Sequence, residues 1–375
     1  MLTKTIHHAN LYTGDQILRD YSLIIENNLI HSYFPSSKAT KKDKDLDAKG
    51  LILAHSFIDL QVYGAQGRLF NNQPDLDTLT KINENNVLGG TTQYLVTLST
   101  SAKEITFKAI DSVRKAMELN FSGLLGLHLE GPFINSAKKG AHLQEFILEP
   151  NLEEIKEIMD YGKGVIQMMT IAPEKFNEET LRFISRYPII LSAGHSEASF
   201  EQALNGFNEG IRSITHLFNA MSPLNSREPG LVGAALDHHS IMSSIIPDGI
   251  HCNFSSLKIA KKIMGNRLFL ITDSVSESSE GYYQFFKGDN KFVDKKGTLS
   301  GSALSMIQGV KNCVEECEIP LSEALRMASY YPAKLMSHLK INGRIRAGDP
   351  ADLILFDSNY KILSVLYNGQ EKIPT

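Results

Sequence analysis

Cysteine is scarce. The 375-residue chain has three, Cys252, Cys313 and Cys317, and none is spaced as CxxC. That excludes a disulfide framework and reads as reduced thiols of a cytoplasmic protein. No stretch approaches 18 consecutive apolar residues, so nothing is expected to span a membrane. The first residues, MLTKTIHHANLYTGD, lack the apolar core of a secretory signal. Positive charge is not in excess either. A net charge of −4 offers no basic face for nucleic acid. What is present is ordinary for a globular chain, 42% hydrophobic and 21% charged. Its length suits one large domain plus a small one, or two medium domains.

The first fifty residues predict short strands at 3–9, 21–26 and 29–34, with Asn27-Asn28 suited to a tight hairpin turn. The lysine-rich stretch 38–49 predicts a solvated loop. From residue 51 the pattern changes. Apolar runs at 57–62, 91–97, 124–129, 165–171, 189–193, 211–217, 241–246 and 268–272 read as strands. Helical patterns at 76–88, 102–119, 152–161, 178–186, 199–209 and 255–264 lie between most of them. Eight strands with crossovers predict a (β/α)8 TIM-like barrel. An open doubly wound sheet would carry a glycine-rich phosphate loop after its first strand, and Gln61-Val62-Tyr63-Gly64-Ala65-Gln66-Gly67 does not fit one. Two further helices are expected at 303–317 and 322–337, then short strands at 343–345, 352–356 and 362–367. The expected division is a small β-sandwich domain from 1–53 and 343–375, and a barrel from 54–342.

Chemistry-bearing residues recur at the C-terminal ends of the expected strands. Strand one offers Asp59, Gln61 and Tyr63; strand three offers His128 and Glu130; strands five, six and eight offer His195, His216 and Asp273. Strand seven runs into Asp248-Gly249-Ile250-His251. A charged group at the end of a buried strand is costly unless paired or metal-bound. Any one histidine reads equally as a core or surface residue. Glu130, His195 and His216 together make a ligand set for zinc or iron with positions left open. Asp273 alone reads as a helix cap; beside a metal it reads as a general base. Arg227 and His251 can hold an anion, and Arg227 alone also reads as a surface residue. Lys138-Lys139-Gly140 reads as a mobile surface loop.

These pieces resemble the amidohydrolase superfamily, on its amino-sugar-phosphate deacetylase branch. The resemblance rests on Phe57-Ile58-Asp59 with Gln61, HLEGPF at 128–133, KKGAH at 138–142, AGHS at 193–196, THLFNAM at 215–221, DGIH at 248–251, Thr272-Asp273 and LSGSALSM at 299–306. It implies a barrel with a terminal β-sandwich, a cytoplasmic homodimer, and one divalent metal per subunit, Zn2+ or Fe2+. The implied reaction converts the acetamide of N-acetyl-D-glucosamine 6-phosphate to D-glucosamine 6-phosphate and acetate. Alternatives are the N-acetylgalactosamine 6-phosphate, a different amide, or an inactive barrel scaffold. The implied metal ligands are Glu130, His195 and His216. Asp273 is the implied acid and base, and His142 assists at the oxyanion. The implied substrate contacts are Ala141, His142, Asn219, Ala220, Arg227, His251, Leu304, Ser305 and Met306, with Arg227 reaching the neighbouring subunit's site. Gln61-Val62-Tyr63 stands where two-metal relatives carry His-x-His, and Ile171-Ala172-Pro173 supplies no bridging lysine. Both departures point to a single metal. Tyr63 also stands where a small polar residue is common.

Overall fold

Asparagine tolerates the left-handed backbone that a two-residue hairpin turn requires. Asn27 and Asn28 both adopt it, at φ 49° and 70°. They join Ile17–Glu26 to Leu29–Pro35 with Glu26 opposite Leu29. The computed structural model describes residues 3–39, 45–289 and 291–372.

The chain divides into two units. The first takes residues up to Ile58, Glu84–Gln93, and those from Ser305 on. Its sheet runs Gln370–Lys372, Ile362–Tyr367, Leu353–Phe356, Ile52–His55, Thr3–Tyr12, Ile17–Glu26, Leu29–Pro35. The two ends of the chain meet where Leu353–Phe356 pairs with Ile52–His55. Ile6, Leu11, Leu23, Leu53, Leu353 and Leu366 form its core.

Three expectations for this unit need correction. The stretch 38–49 is not wholly a solvated loop. Residues 40–44 lie outside the described residues, but Asp45 is buried 2.9 Å from His7 Nε2, and Leu46–Asp47 pairs with Thr3–Tyr12. The helix expected at 322–337 breaks into Leu321–Ala328 and Tyr330–Leu335. Pro332 has no N–H to donate to the carbonyl four residues back, so the helix cannot run through. Residues 343–345 form no strand. Gly343 is left-handed at φ 70°, and Ile345 donates a single backbone bond to Thr13.

The second unit, Asp59–Asn83 and Tyr94–Leu304, carries the barrel. The barrel strands, all in this unit but for Phe57, Ile58 and residues 91–93, are β1 (Phe57–Val62), β2 (Thr91–Ser99), β3 (Leu124–Glu130), β4 (Ile166–Ile171), β5 (Ile190–Ala193), β6 (Ser213–Ile214), β7 (Met242–Ile245) and β8 (Leu268–Leu270). They lie side by side in chain order, and the pairs from β2 to β8 are parallel. Beyond β8 the chain returns to β1. Val62 bridges Ser274, Asp273 N–H donates to Gln61 O at 3.0 Å, and Tyr63 N–H donates to Ser274 O at 2.9 Å.

The crossover helices are α1 (Leu76–Leu88), α2 (Lys103–Glu118), α3 (Leu152–Tyr161), α4 (Glu178–Ile184), α5 (Phe200–Asn208), α6 (Gly230–Asp237) and α7 (Phe254–Met264). Side-chain caps start several of them: Asn151, Asn177 and Asn253 cap α3, α4 and α7, and Ser199 with Gln202 closes a capping box on α5. Helix α6 has no counterpart among the expected elements. Its residues 230–236 are all buried, so it shows no polar face from which to read a period. After β8 a three-stranded antiparallel sheet follows, Phe286–Gly288, Lys291–Val293 and Leu299–Ser302.

Candidate active site

Glu130 is the last residue of β3, and His195, His216 and Asp273 lie just beyond β5, β6 and β8. The last three have left-handed backbones, at φ 48°, 36° and 55°. For a non-glycine residue this costs on the order of 1–3 kcal/mol and persists only where the surroundings over-determine it. It also ends the strand. The apolar run 211–217 therefore yields only Ser213–Ile214 as paired strand, because the chain turns at His216.

The ligand atoms of Glu130, His195 and His216 all lie within 4.8 Å of one another, and all three residues are buried. The two Nε2 atoms are 3.1 Å apart. Glu130 Oε1 is 3.3 Å from His195 Nε2 and 3.1 Å from His216 Nε2. Ligands about 2.0–2.1 Å from a tetrahedral zinc ion stand about 3.3 Å apart, so the set has the spacing of one ion's coordination sphere. Protonation agrees. His195 Nδ1 is 2.8 Å from the Lys138 carbonyl, which can only accept, so Nδ1 carries the proton and Nε2 turns its lone pair inward. Lys138 thus belongs to the site through its backbone, and its ammonium pairs with Glu197 at 2.9 Å. His216 Nδ1 has no partner among the described residues. Burial keeps the His216 ring below its usual pKa, favouring the neutral form a metal needs. Burial would raise Glu130, but the facing His195 and His142 hold it well below the carboxylate range. The residues present fit a divalent cation.

Around them the hydrogen bonds are directional. Thr100 N–H donates to His142 Nδ1 at 3.2 Å, so His142 carries its proton on Nε2 and donates it to Glu130 Oε2 at 2.9 Å. Burial and the neighbouring His195 lower His142 to about 4. Gln61 Nε2 donates to Asp273 Oδ1 at 2.9 Å. Burial and the facing Glu130 push Asp273 well above its usual range.

Two strand-end candidates serve the barrel instead. Asp59 is fully buried, accepts from the Thr272 and Gln61 N–H groups at 3.2 Å, and is raised by burial to about 7. His128 donates from Nδ1 to Leu60 O at 3.0 Å and meets Thr170 Oγ1 at 2.8 Å.

Ala141, His142, Asn219, Ala220 and His251 line one cavity with Asp273 and the ligand trio. His251 Nδ1 donates to Asp248 Oδ2 at 2.6 Å. The other expected substrate contacts fall elsewhere. Arg227 is exposed, with no ion pair among the described residues, and is not part of the lining. Leu304 is buried outside the lining, and Leu299, Ser300 and Gly301 take its place. Ser305 and Met306 start the helix Met306–Glu315 of the first unit.

Tyr283 and Phe285, which sequence reasoning missed, form part of the wall. The signal was the aromatic cluster Tyr282-Tyr283-Gln284-Phe285-Phe286 shortly after Asp273.

The sequence profile of the Amidohydrolase family matches residues 56–372. The chain belongs to the amidohydrolase family. This amidohydrolase is 35% identical to an N-acetylglucosamine-6-phosphate deacetylase of Haemophilus influenzae, over 96% of the chain and 97% of that protein. It is 34% identical to an N-acetylgalactosamine-6-phosphate deacetylase of a Shewanella strain, over 85% and 82%. A crystal structure of the N-acetylglucosamine-6-phosphate deacetylase from Pasteurella multocida superposes with a TM-score of 0.94 at 33% identity, covering 99% of this chain and 100% of that one.

Proposed function

We propose that this amidohydrolase hydrolyses the acetamide of N-acetyl-D-glucosamine 6-phosphate, releasing acetate and D-glucosamine 6-phosphate, in amino-sugar catabolism. The observation that carries the reading is the convergence of Glu130, His195 and His216 beside the buried Asp273, in a chain so similar to deacetylases over its whole length.

Glu130, His195 and His216 would hold one divalent cation. Zinc suits the two-nitrogen, one-carboxylate set, and iron(II) is the alternative. When bound, the ion supplies Lewis acidity that lowers the pKa of water and polarises the acetyl carbonyl. Asp273 accepts the proton of the attacking water and passes it to the departing amine, since an amide does not expel an unprotonated nitrogen. Burial and the facing Glu130 raise its proton affinity, which suits a group that takes a proton from water. His142 stabilises the developing oxyanion through its Nε2–H, exchanging its bond to Glu130 for one to substrate. Ala141, Asn219 and Ala220 orient the sugar.

No lysine or arginine lines the cavity among the described residues. That supports a homodimer in which Arg227 of one subunit, with His251 of the other, holds the phosphate. The three buried cysteines, none of them in a disulfide among the described residues, support a cytoplasmic location.

A second reading, the N-acetylgalactosamine 6-phosphate, is favoured by the 34% identity to a deacetylase of that sugar. The test is acetate release from both phosphosugars by metal-analysed protein. Higher kcat/KM on the gluco sugar supports the first reading, higher kcat/KM on the galacto sugar supports the second, and no acetate from either overturns both.

A further inference from the structure

The two oxygens of Glu130 do different work. Oε1 faces His195 and His216 and accepts from Gln61 Nε2 at 2.9 Å. Oε2 accepts from His142 Nε2 at 2.9 Å and from the Tyr63 hydroxyl at 2.6 Å. The proposed reaction gives Tyr63 no task, yet its position is closely built. Its N–H donates to Ser274 O at 2.9 Å, and its carbonyl accepts from Phe70 N–H at 2.8 Å. Its ring is buried among Leu69, Val275, Tyr283, Phe285 and Phe292. Gln61 Nε2, whose two hydrogens are shared among Asp273 Oδ1, Glu130 Oε1 and this hydroxyl, lies 2.6 Å from it, and the hydroxyl gives its proton to Glu130 Oε2. Backbone, ring and hydroxyl are each fixed, so the donor is aimed before any ligand arrives.

His142 has one N–H to give, because its Nδ1 accepts from Thr100. That N–H cannot hold Glu130 and a substrate oxygen together. We propose that Tyr63 is a positioning residue that keeps Glu130 Oε2 satisfied and Oε1 turned to the histidines, which frees the His142 N–H for the substrate carbonyl. The first half concerns metal binding alone; the second rests on the deacetylase reading.

The test is a zinc titration of the full chain, stripped of metal, against a chelating competitor and without sugar. Tyr63→Phe keeps the ring and removes the donor. Its zinc Kd should rise about 10-fold to 100-fold, the usual effect of losing a group that orients a ligand. Tyr187→Phe removes a hydroxyl outside the site, one that donates to Asp160 Oδ1 at 3.1 Å; its zinc Kd should stay within about twofold. At saturating zinc, Tyr63→Phe should lower kcat with KM for the phosphosugar unchanged, a split that ring packing alone does not produce. A Tyr63→Phe Kd within about threefold of wild type overturns the proposal, as does an equal loss in Tyr187→Phe. Wild-type protein that binds zinc but releases no acetate overturns the deacetylase reading and leaves the metal-binding half standing.

Discussion

Asp59 and Asp273 are both buried carboxylates near the β1–β8 junction, and their surroundings separate their work. Asp273 faces Glu130 and the cavity. Replacing it with Asn keeps the shape and the Gln61 contact but removes the base. Acetate release should fall about 100-fold to 10,000-fold with zinc still bound, measured as kcat beside metal content. Near-normal turnover would remove Asp273 from the mechanism. Asp59 instead faces Thr272 and Gln61. Its folded pKa of about 7 lies above its ordinary 3.8, so the folded chain holds a proton that the unfolded chain releases. The stability this proton carries is full below about pH 4 and is lost as pH rises toward 7, up to about 4 kcal/mol. Asp59→Asn should abolish that loss. Its Tm relative to wild type should climb between pH 5 and pH 8, and a constant difference across that range would refute the assignment.

Elements with a repeating pattern are legible in the sequence, and elements held from a distance are not. The run 124–129 and the helical stretches 76–88 and 152–161 announce themselves by period, and the structure keeps their positions closely. The ligand histidines and Asp273 are legible because charge at the end of an apolar run is costly. Their left-handed backbones are not, since no local rule asks a histidine for φ near 40°. The segment after Asp273 is opaque for a clearer reason. Besides its own Ser278–Phe285 backbone pair, it is held by Asn72, some two hundred residues earlier. The two N–H of the Asn72 amide are shared among Ser278 Oγ, Glu280 O and Tyr283 O at 3.1, 2.9 and 2.6 Å, and its Oδ1 accepts from Tyr283 N–H at 3.0 Å. Gly281, at φ 85°, lies so close that an added Cβ would sit 2.5 Å from the Asn72 side chain. Asn72 thus helps fix the segment that carries Tyr283 and Phe285 into the cavity wall. Asn72→Ala should loosen it by about 1–3 kcal/mol. Amide exchange over 276–288 should quicken, and KM for the phosphosugar should rise more than kcat falls. Unchanged exchange there would mean the segment holds itself.

At the scale of the whole molecule, the barrel gathers Glu130, His195, His216 and Asp273 around one recess from one chain, yet no lysine or arginine lines that recess among the described residues. A substrate with two negative charges needs a counter-charge, and Arg227 stands exposed on the loop before α6 with no ion pair among the described residues. If a second copy brings its Arg227 to the cavity, two defective chains can repair each other. Arg227→Ala keeps Asp273 but deprives its partner's site of the arginine. Asp273→Asn keeps the arginine but has a dead site of its own. In a mixed dimer, one site then combines an intact Asp273 with an intact Arg227 from the other subunit. Random reassortment makes half the dimers mixed, with one of two sites whole, so kcat/KM on the phosphosugar should recover to about a quarter of wild type. Each variant alone stays low, and the recovery should vanish on the unphosphorylated sugar, which has no use for Arg227. Activity equal to the average of the two separate variants would place the arginine in its own chain's site, or outside phosphate binding altogether.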